Sequence, residues 1–146
     1  LYKEAADRFL RLILLQDELL GTRPEFKVGT WIGRARSLGN TAGEKDLYEW
    51  NARVQITTWG NRNAADDGGL RDYAHREWNG ILKDFYYMRW KTWFDHQLQK
   101  LEGNNPAEID FYALEEPWTK ATNFYTWKPE GDCIPTVKRI FAEVFE

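Results

Sequence analysis

GLRDYAHREWNGILKDFYYMRWKTWFDHQLQKL, residues 69–101, is the stretch whose reading decides the fold. It has no proline and a single interior glycine, Gly80. It is long enough for about nine helical turns. Helical spacing picks out two apolar stripes. Leu70, Ala74, Trp78, Ile81, Phe85 and Met88 make one, and Leu82, Tyr86, Trp90, Phe94, Leu98 and Leu101 make the other. A surface helix carries one stripe, so two imply neighbours on two sides. The stretch predicts a long central helix in an all-α bundle of about six helices.

The flanking sequence follows the same pattern. Leu1 to Leu20 reads as a helix with Ala6, Phe9, Ile13 and Leu20 on one face, widened by Leu10 and Leu14. Gly21 stops it. Thr22 with Glu25 reads as a capping box, with Pro24 in the first turn of a second helix ending near Gly39. Its inner face is Phe26, Ile32, Ala35 and Leu38. Thr41 and Glu44 repeat the box before a third helix to about Thr58, with Leu47, Trp50, Val54 and Thr58 inward. Residues 60–69 read as a polar, glycine-containing loop, the kind of place where binding groups sit. After Asn104-Asn105-Pro106 comes a helical piece with Ile109, Tyr112 and Leu114, which Pro117 should kink or restart. Asp132 caps a last helix, with Ile134, Val137, Ile140, Phe141 and Val144 inward. No strand alternation, repeat or linker is visible, and short connections favour an antiparallel bundle.

Composition narrows the function classes. The chain has 146 residues, enough for one domain with a real core. Aromatic residues are 16%, which argues against disorder. A net charge of −3 with no basic run makes nucleic acid and anionic membranes poor partners. No apolar run approaches the roughly 20 residues of a bilayer span. The lone Cys133 excludes an internal disulfide and any multi-cysteine metal site. The only methionine is Met88, and Leu1 already lies in a helical pattern. Residues 1–146 are therefore expected to be a single helical domain cut from a longer protein.

No self-contained active site is legible. His75 and His96 are about six turns apart on a helix, and His96 reads as a solvated surface residue. Metalloprotease, nucleotide-binding and hydrolase motifs are missing. Asp66, Asp67, Asp72, Glu77 and Asp84 are the carboxylates near the loop. Asp66 and Asp67 read as a solvated turn. Asp72 and Arg76 stand four apart, so an ion pair along the helix is the default. Trp118 and Trp127 lie in irregular stretches; they read as interface aromatics or as core, with core favoured.

WG at Trp59-Gly60, LRDYAHREWNGIL at Leu70 to Leu82 and FYYMRW at Phe85 to Trp90 together resemble the C-terminal helical region of the alpha-N-acetylglucosaminidases. These glycoside hydrolases remove terminal alpha-linked N-acetylglucosamine. The resemblance runs from about Tyr48 to the final helix. His75 stands where the family has asparagine, so a hydrogen-bonding role at that position is not carried over. The resemblance implies that two catalytic glutamates belong to an upstream barrel domain of the same chain, so no catalytic residue is assigned here. It implies retention through a glycosyl-enzyme intermediate, with no metal and no cofactor. It also implies that this domain packs on the barrel and completes one side of the sugar pocket. Trp59, Asp72 and Tyr73 flank the polar loop and are the substrate-binding candidates. An aromatic face and a few polar groups are what a sugar site needs. The compartment implied is export for a bacterial protein, favoured here, or the lysosome for an animal one. A free-standing carbohydrate-binding module and a structural interaction domain are the alternatives.

Overall fold

The computed structural model describes residues 1–145 and is all-α. Six α-helices follow in order: α1 (Tyr2–Gly21), α2 (Val28–Ser37), α3 (Ala42–Gln55), α4 (Tyr87–Leu101), α5 (Phe111–Lys120) and α6 (Cys133–Phe145). A 3-10 turn at Pro24–Phe26 precedes α2. Single π-helical turns occupy Asn63–Asp67 and Leu82–Tyr86, and the second runs directly into α4. Packing joins α1 to α4 and α6, α2 to α3, and α3 to α5. The core where these meet contains Leu10, Ile13, Val28, Ile32, Ile56, Ile81, Leu82, Phe85, Tyr86 and Trp118. Each buried aliphatic or aromatic side chain there stabilises by about 1.5–3 kcal/mol relative to exposure.

The central helical run starts at Leu82, not at residue 70, because Asn79 is held in another structure. Its N–H donates to the Phe26 carbonyl at 2.8 Å, and its carbonyl accepts from Val28 N–H at 3.0 Å. These bonds form an isolated parallel bridge between Lys27 and Asn79. A residue whose N–H and C=O are both spent on a distant segment cannot join a helix ladder. Gly80 then reverses the chain at φ +93. The exposed N–H groups at the helix start are capped from α1 rather than locally. Asp17 Oδ1 accepts from Gly80 N–H at 2.6 Å and Lys83 N–H at 3.1 Å. Burial pushes the Asp17 carboxyl up, against the pull of these donors.

Asn79 also uses its side chain. Its amide donates to Asp17 Oδ2 at 2.8 Å, and its oxygen accepts from Lys27 Nζ at 2.9 Å. Lys27 is fully buried, and its ammonium is completed by Glu130 at 2.5 Å. A second buried cation, Arg53, ties α3 to the far side. It donates to Glu49 Oε1 at 2.9 and 2.7 Å, to the Trp118 carbonyl at 3.2 Å and to the Asn123 carbonyl at 3.0 Å. The guanidinium lies 4.7 Å from the Trp118 ring centroid.

Several faces differ from the sequence reading. The Thr41–Glu44 capping box is formed, as is the Asp132 cap on Ile134 N–H. The Thr22 box is not, because Thr22 Oγ1 donates back to Leu19 O and Lys27 is extended, so α2 starts at Val28. Phe26 and Leu38 are consequently exposed. The buried face of α3 is Glu49, Ala52 and Arg53, while Leu47 and Trp50 are exposed, because the ion pair occupies the interior position. On α6, Cys133, Thr136, Ile140 and Val144 are half-buried, and Ile134, Val137 and Phe141 are exposed. His96 is buried rather than solvated. Trp118 is buried, whereas Trp127 is 52% exposed. Among the described residues no helix is long and apolar enough to cross a membrane.

A Cβ at Gly80 would sit 2.8 Å from Val28 Cγ1 and 2.9 Å from Tyr125 Cδ1, at a positive φ. Gly80→Ala is therefore expected to destabilise by about 2–4 kcal/mol, combining overpacking with left-handed strain. Gly43, in the first turn of α3, has nothing within 4 Å. Gly43→Ala should stabilise by about 0.5–1 kcal/mol. Paired thermal melts check both signs.

Candidate functional site

Two strained residues bracket the polar loop. Among the described residues, Trp59 and Asp72 are the non-glycine residues with positive φ, each at +62°. Trp59 N–H closes the end of α3 onto Val54 O at 2.8 Å. Asn61 Oδ1 accepts from Ala64 N–H and starts the π turn at Asn63–Asp67. Asp72 N–H then donates to Thr57 O at 2.8 Å, so the two loop ends meet. Left-handed conformations cost on the order of 1–3 kcal/mol and persist where surrounding structure over-determines them. Here that structure includes a charge network.

Arg89 from α4 chelates Asp72, donating from Nη1 to Oδ2 and from Nη2 to Oδ1, the latter at 3.0 Å. Tyr86 Oη donates to Asp72 Oδ1 at 3.2 Å. Arg89 Nε donates to Glu115 Oε1 at 2.5 Å, and Glu115 Oε2 accepts from Arg71, which also reaches Asp66. The sequence Asp66–Arg71–Glu115–Arg89–Asp72 thus ties the loop to α4 and α5. Arg89 stacks over the Tyr86 and Phe85 rings at 4.9 and 5.1 Å. Burial works against the Arg89 charge, but its bonds to Asp72 and Glu115 outweigh that and hold its pKa above the usual value. Burial raises the Glu115 carboxyl, opposed by the two arginines. It also raises the Tyr86 phenol, helped by the Asp72 charge. The loop has a further tether, Arg62 to Asp110 at 2.7 and 2.9 Å. That bond, with the Ala113 N–H that Asp110 caps, holds the Asp110 carboxyl down at about 2.

Two of the three sequence candidates, Trp59 and Tyr73, meet on this rim, and Asp72 adjoins them along the backbone while its side chain turns to Arg89 and Tyr86. The Trp59 and Tyr73 rings meet edge to face with centroids 5.2 Å apart. Tyr73 is 74% exposed, and the phenol is part of the surface. Asp72 lies one residue away, its carboxylate about one-third exposed beside Arg89. Asp72 also opens onto a cleft of about 350 Å³ lined by Phe9, Gln16, His75, Glu77 and Trp90. His75 is exposed, stands 6.4 Å from the Tyr86 ring, and bonds through its N–H to Asp72 O.

The expected helix start at Leu70 does not exist, so the groups gather by loop closure and not by a helix dipole. Asp72 pairs with Arg89 rather than Arg76. Arg76 instead donates to the Ala74 and His75 carbonyls, which an irregular backbone leaves open. Two of the other nearby carboxylates, Glu77 and Asp84, are also engaged. Glu77 accepts from Gln16 at 3.0 Å, and Asp84 accepts from Tyr125 Oη at 2.6 Å. Arg71, Tyr86, Arg89 and Glu115 were not legible as site residues. The available signal was charge in apolar surroundings, such as Arg89 within FYYMRW and Glu115 within FYALEEPW.

Residues 1–143 match the family model described as Alpha-N-acetylglucosaminidase (NAGLU) C-terminal domain. Human alpha-N-acetylglucosaminidase is 27% identical over an alignment covering 88% of this chain and 17% of the human protein. A family 89 glycoside hydrolase from Clostridium perfringens, solved with 2-acetamido-1,2-dideoxynojirmycin, superposes with a TM-score of 0.89 at 38% identity. The match covers 99% of this chain and 17% of that one. A doubly Glu-to-Gln-substituted form from the same organism, in complex with its substrate GlcNAc-alpha-1,4-galactose, gives 0.87 at 37% identity, covering 97% and 17%. The chain thus spans 17% of the length of these relatives.

Glu115 is the buried centre of the network, and Asp66 its more exposed end. Glu115→Ala takes the buried carboxylate from two guanidinium groups, leaving Arg89 with Asp72 alone and Arg71 with Asp66 alone, and is expected to cost about 3–5 kcal/mol, lowering Tm by on the order of 10 °C. Asp66→Ala should stay within about 1 kcal/mol. Chemical denaturation of both variants measures the difference.

Proposed function

The chain belongs to the alpha-N-acetylglucosaminidase C-terminal domain family, and from that membership we propose that it is the all-helical C-terminal domain of an exo-glycosidase that removes terminal alpha-linked N-acetylglucosamine. In this reading residues 1–146 are one domain that packs on a catalytic barrel of the same polypeptide and forms one wall of the sugar pocket. The match to 17% of each relative supports a larger chain. The observation that carries the pocket reading is the Trp59–Tyr73 ring pair, held at the surface by the closed loop and the Arg89–Asp72 chelate.

The division of labour is chemical. Retaining glycosidases need two carboxyl groups roughly 5 Å apart, one as acid/base and one as nucleophile. Asp72, Glu77 and Asp84 are already bonded to Arg89, Gln16 and Tyr125, so this domain supplies position rather than the reacting pair. The Trp59 face takes the apolar C–H surface of a pyranose. The Tyr73 phenol and the exposed lone pairs of Asp72 take hydroxyl groups. Arg89 holds the Asp72 carboxylate in a fixed orientation for that task through two parallel hydrogen bonds. With bacterial and human relatives, the compartment that goes with this reading is export in a bacterium or the lysosome in an animal.

The chain alone is expected to show no turnover of aryl alpha-N-acetylglucosaminides. Turnover that disappears in Asp72→Asn would sink the proposed division of labour. In the full-length enzyme, Trp59→Phe and Tyr73→Phe should each lower kcat/KM by one to two orders of magnitude, equivalent to about 1.4–3 kcal/mol in the transition state. Tm should hardly move. Lower melting with unchanged kcat/KM in the folded fraction would instead make both residues structural.

A further inference from the structure

Against one face of α2, a cavity of about 430 Å³ is lined by Pro24, Thr30, Gly33, Arg34, Ser37 and Trp127. Its volume is at the lower end of the roughly 300–1,000 Å³ typical of ligand pockets. Its aromatic wall is fixed in place. A Cβ at Gly33 would lie 4.0 Å from Trp127 Cε3, so the indole rests against α2 where no side chain intervenes. On its other side Phe124 meets it edge to face at 6.1 Å. Trp127 nevertheless remains half exposed.

The polar groups of the cavity are of two kinds. Thr30 Oγ1 donates to Pro24 O at 2.6 Å, and Ser37 Oγ donates to Arg34 O at 2.7 Å. Both hydroxyl protons are used on the backbone, so the cavity is offered acceptor lone pairs. Arg34 supplies the donors. It is the only arginine among the described residues whose guanidinium makes no hydrogen bond or ion pair within the chain. Every other guanidinium has a carboxylate or carbonyl partner.

The geometry points to a second carbohydrate subsite, in which a pyranoside carrying one carboxylate stacks its C–H face on Trp127, places its acidic group on Arg34 and donates hydroxyls to Thr30 and Ser37. A planar guanidinium takes a carboxylate through two parallel hydrogen bonds. An indole face takes an apolar ring surface. Choosing a sugar over other amphipathic anions rests on the proposed function; the anionic requirement rests on Arg34 alone. The subsite is built from α2 and residues 124–127, and shares no residue with the rim of Trp59, Asp72 and Tyr73.

The test is calorimetric titration of the full-length protein with methyl β-D-glucuronide and with uncharged methyl β-D-glucoside. The glucuronide is expected to bind at least tenfold more tightly, and added salt should weaken only the glucuronide. Arg34→Gln should remove that preference, and Trp127→Ala should weaken both ligands at least tenfold, with Trp127→Phe restoring part of the loss. Trp59→Phe should leave glucuronide binding unchanged, and Arg34→Gln should leave kcat/KM on a small aryl alpha-N-acetylglucosaminide unchanged. This separates failure of the subsite from failure of the pocket reading. Equal affinity for the two sugars, no binding of the glucuronide, or unchanged glucuronide binding in Arg34→Gln overturns the subsite.

Discussion

Asn79 is the point on which the arrangement of helices depends. Its backbone is bonded to residues 26 and 28, and its side chain to Asp17 and Lys27. One residue thereby joins the end of α1, the start of α2 and the start of the central helical run. The joint is polar and buried, so its groups cannot turn to water when a partner is lost. Gly80 follows because only a residue without a side chain fits between Val28 and Tyr125 at that backbone angle. The capping of the central run by Asp17 follows as well, since it requires α1 to be held in register against residues 79–83.

Two interior charge clusters do different work around that joint. Arg53 and Glu49 replace apolar side chains on the buried face of α3 and reach the carbonyls of Trp118 and Asn123. The cluster centred on Glu115 instead fixes a loop conformation that local sequence would not adopt. Interior ion pairs are weak evidence for net stability, because desolvation offsets much of the attraction. Their geometric value here is clearer. Arg53 satisfies carbonyls in the irregular stretch after α5, and Arg89 holds Asp72 in a left-handed conformation.

The legible part of the sequence was the part governed by near neighbours. The Thr41–Glu44 box, the Asp132 cap, the length of α1 and the absence of strands all come from interactions within a few residues. The start of the central run was misplaced because its cap, Asp17, lies more than sixty positions away. The same cause hid the break at Lys27, whose extended backbone is set by Asn79. The inner face of α3 differs because hydrophobic periodicity assigns Leu47 and Trp50 inward, whereas the buried Arg53–Glu49 pair occupies that face. Trp59 and Tyr73 meet through a closed loop between two left-handed residues and not at a helix terminus, a geometry set by the distant Arg89–Asp72 and Thr57–Asp72 bonds.

The bond between Asp72 N–H and Thr57 O closes the base of the loop independently of what lies between. Loop-closure entropy rises slowly with length, so a neck held by its own hydrogen bond tolerates insertion or deletion beyond it. The helices on either side need not move when the tip changes. The exposed tip of the loop can therefore change in length or chemistry while the ring pair at the neck stays where it is, so long as the buried Ala65 and the Arg62–Asp110 tether are kept.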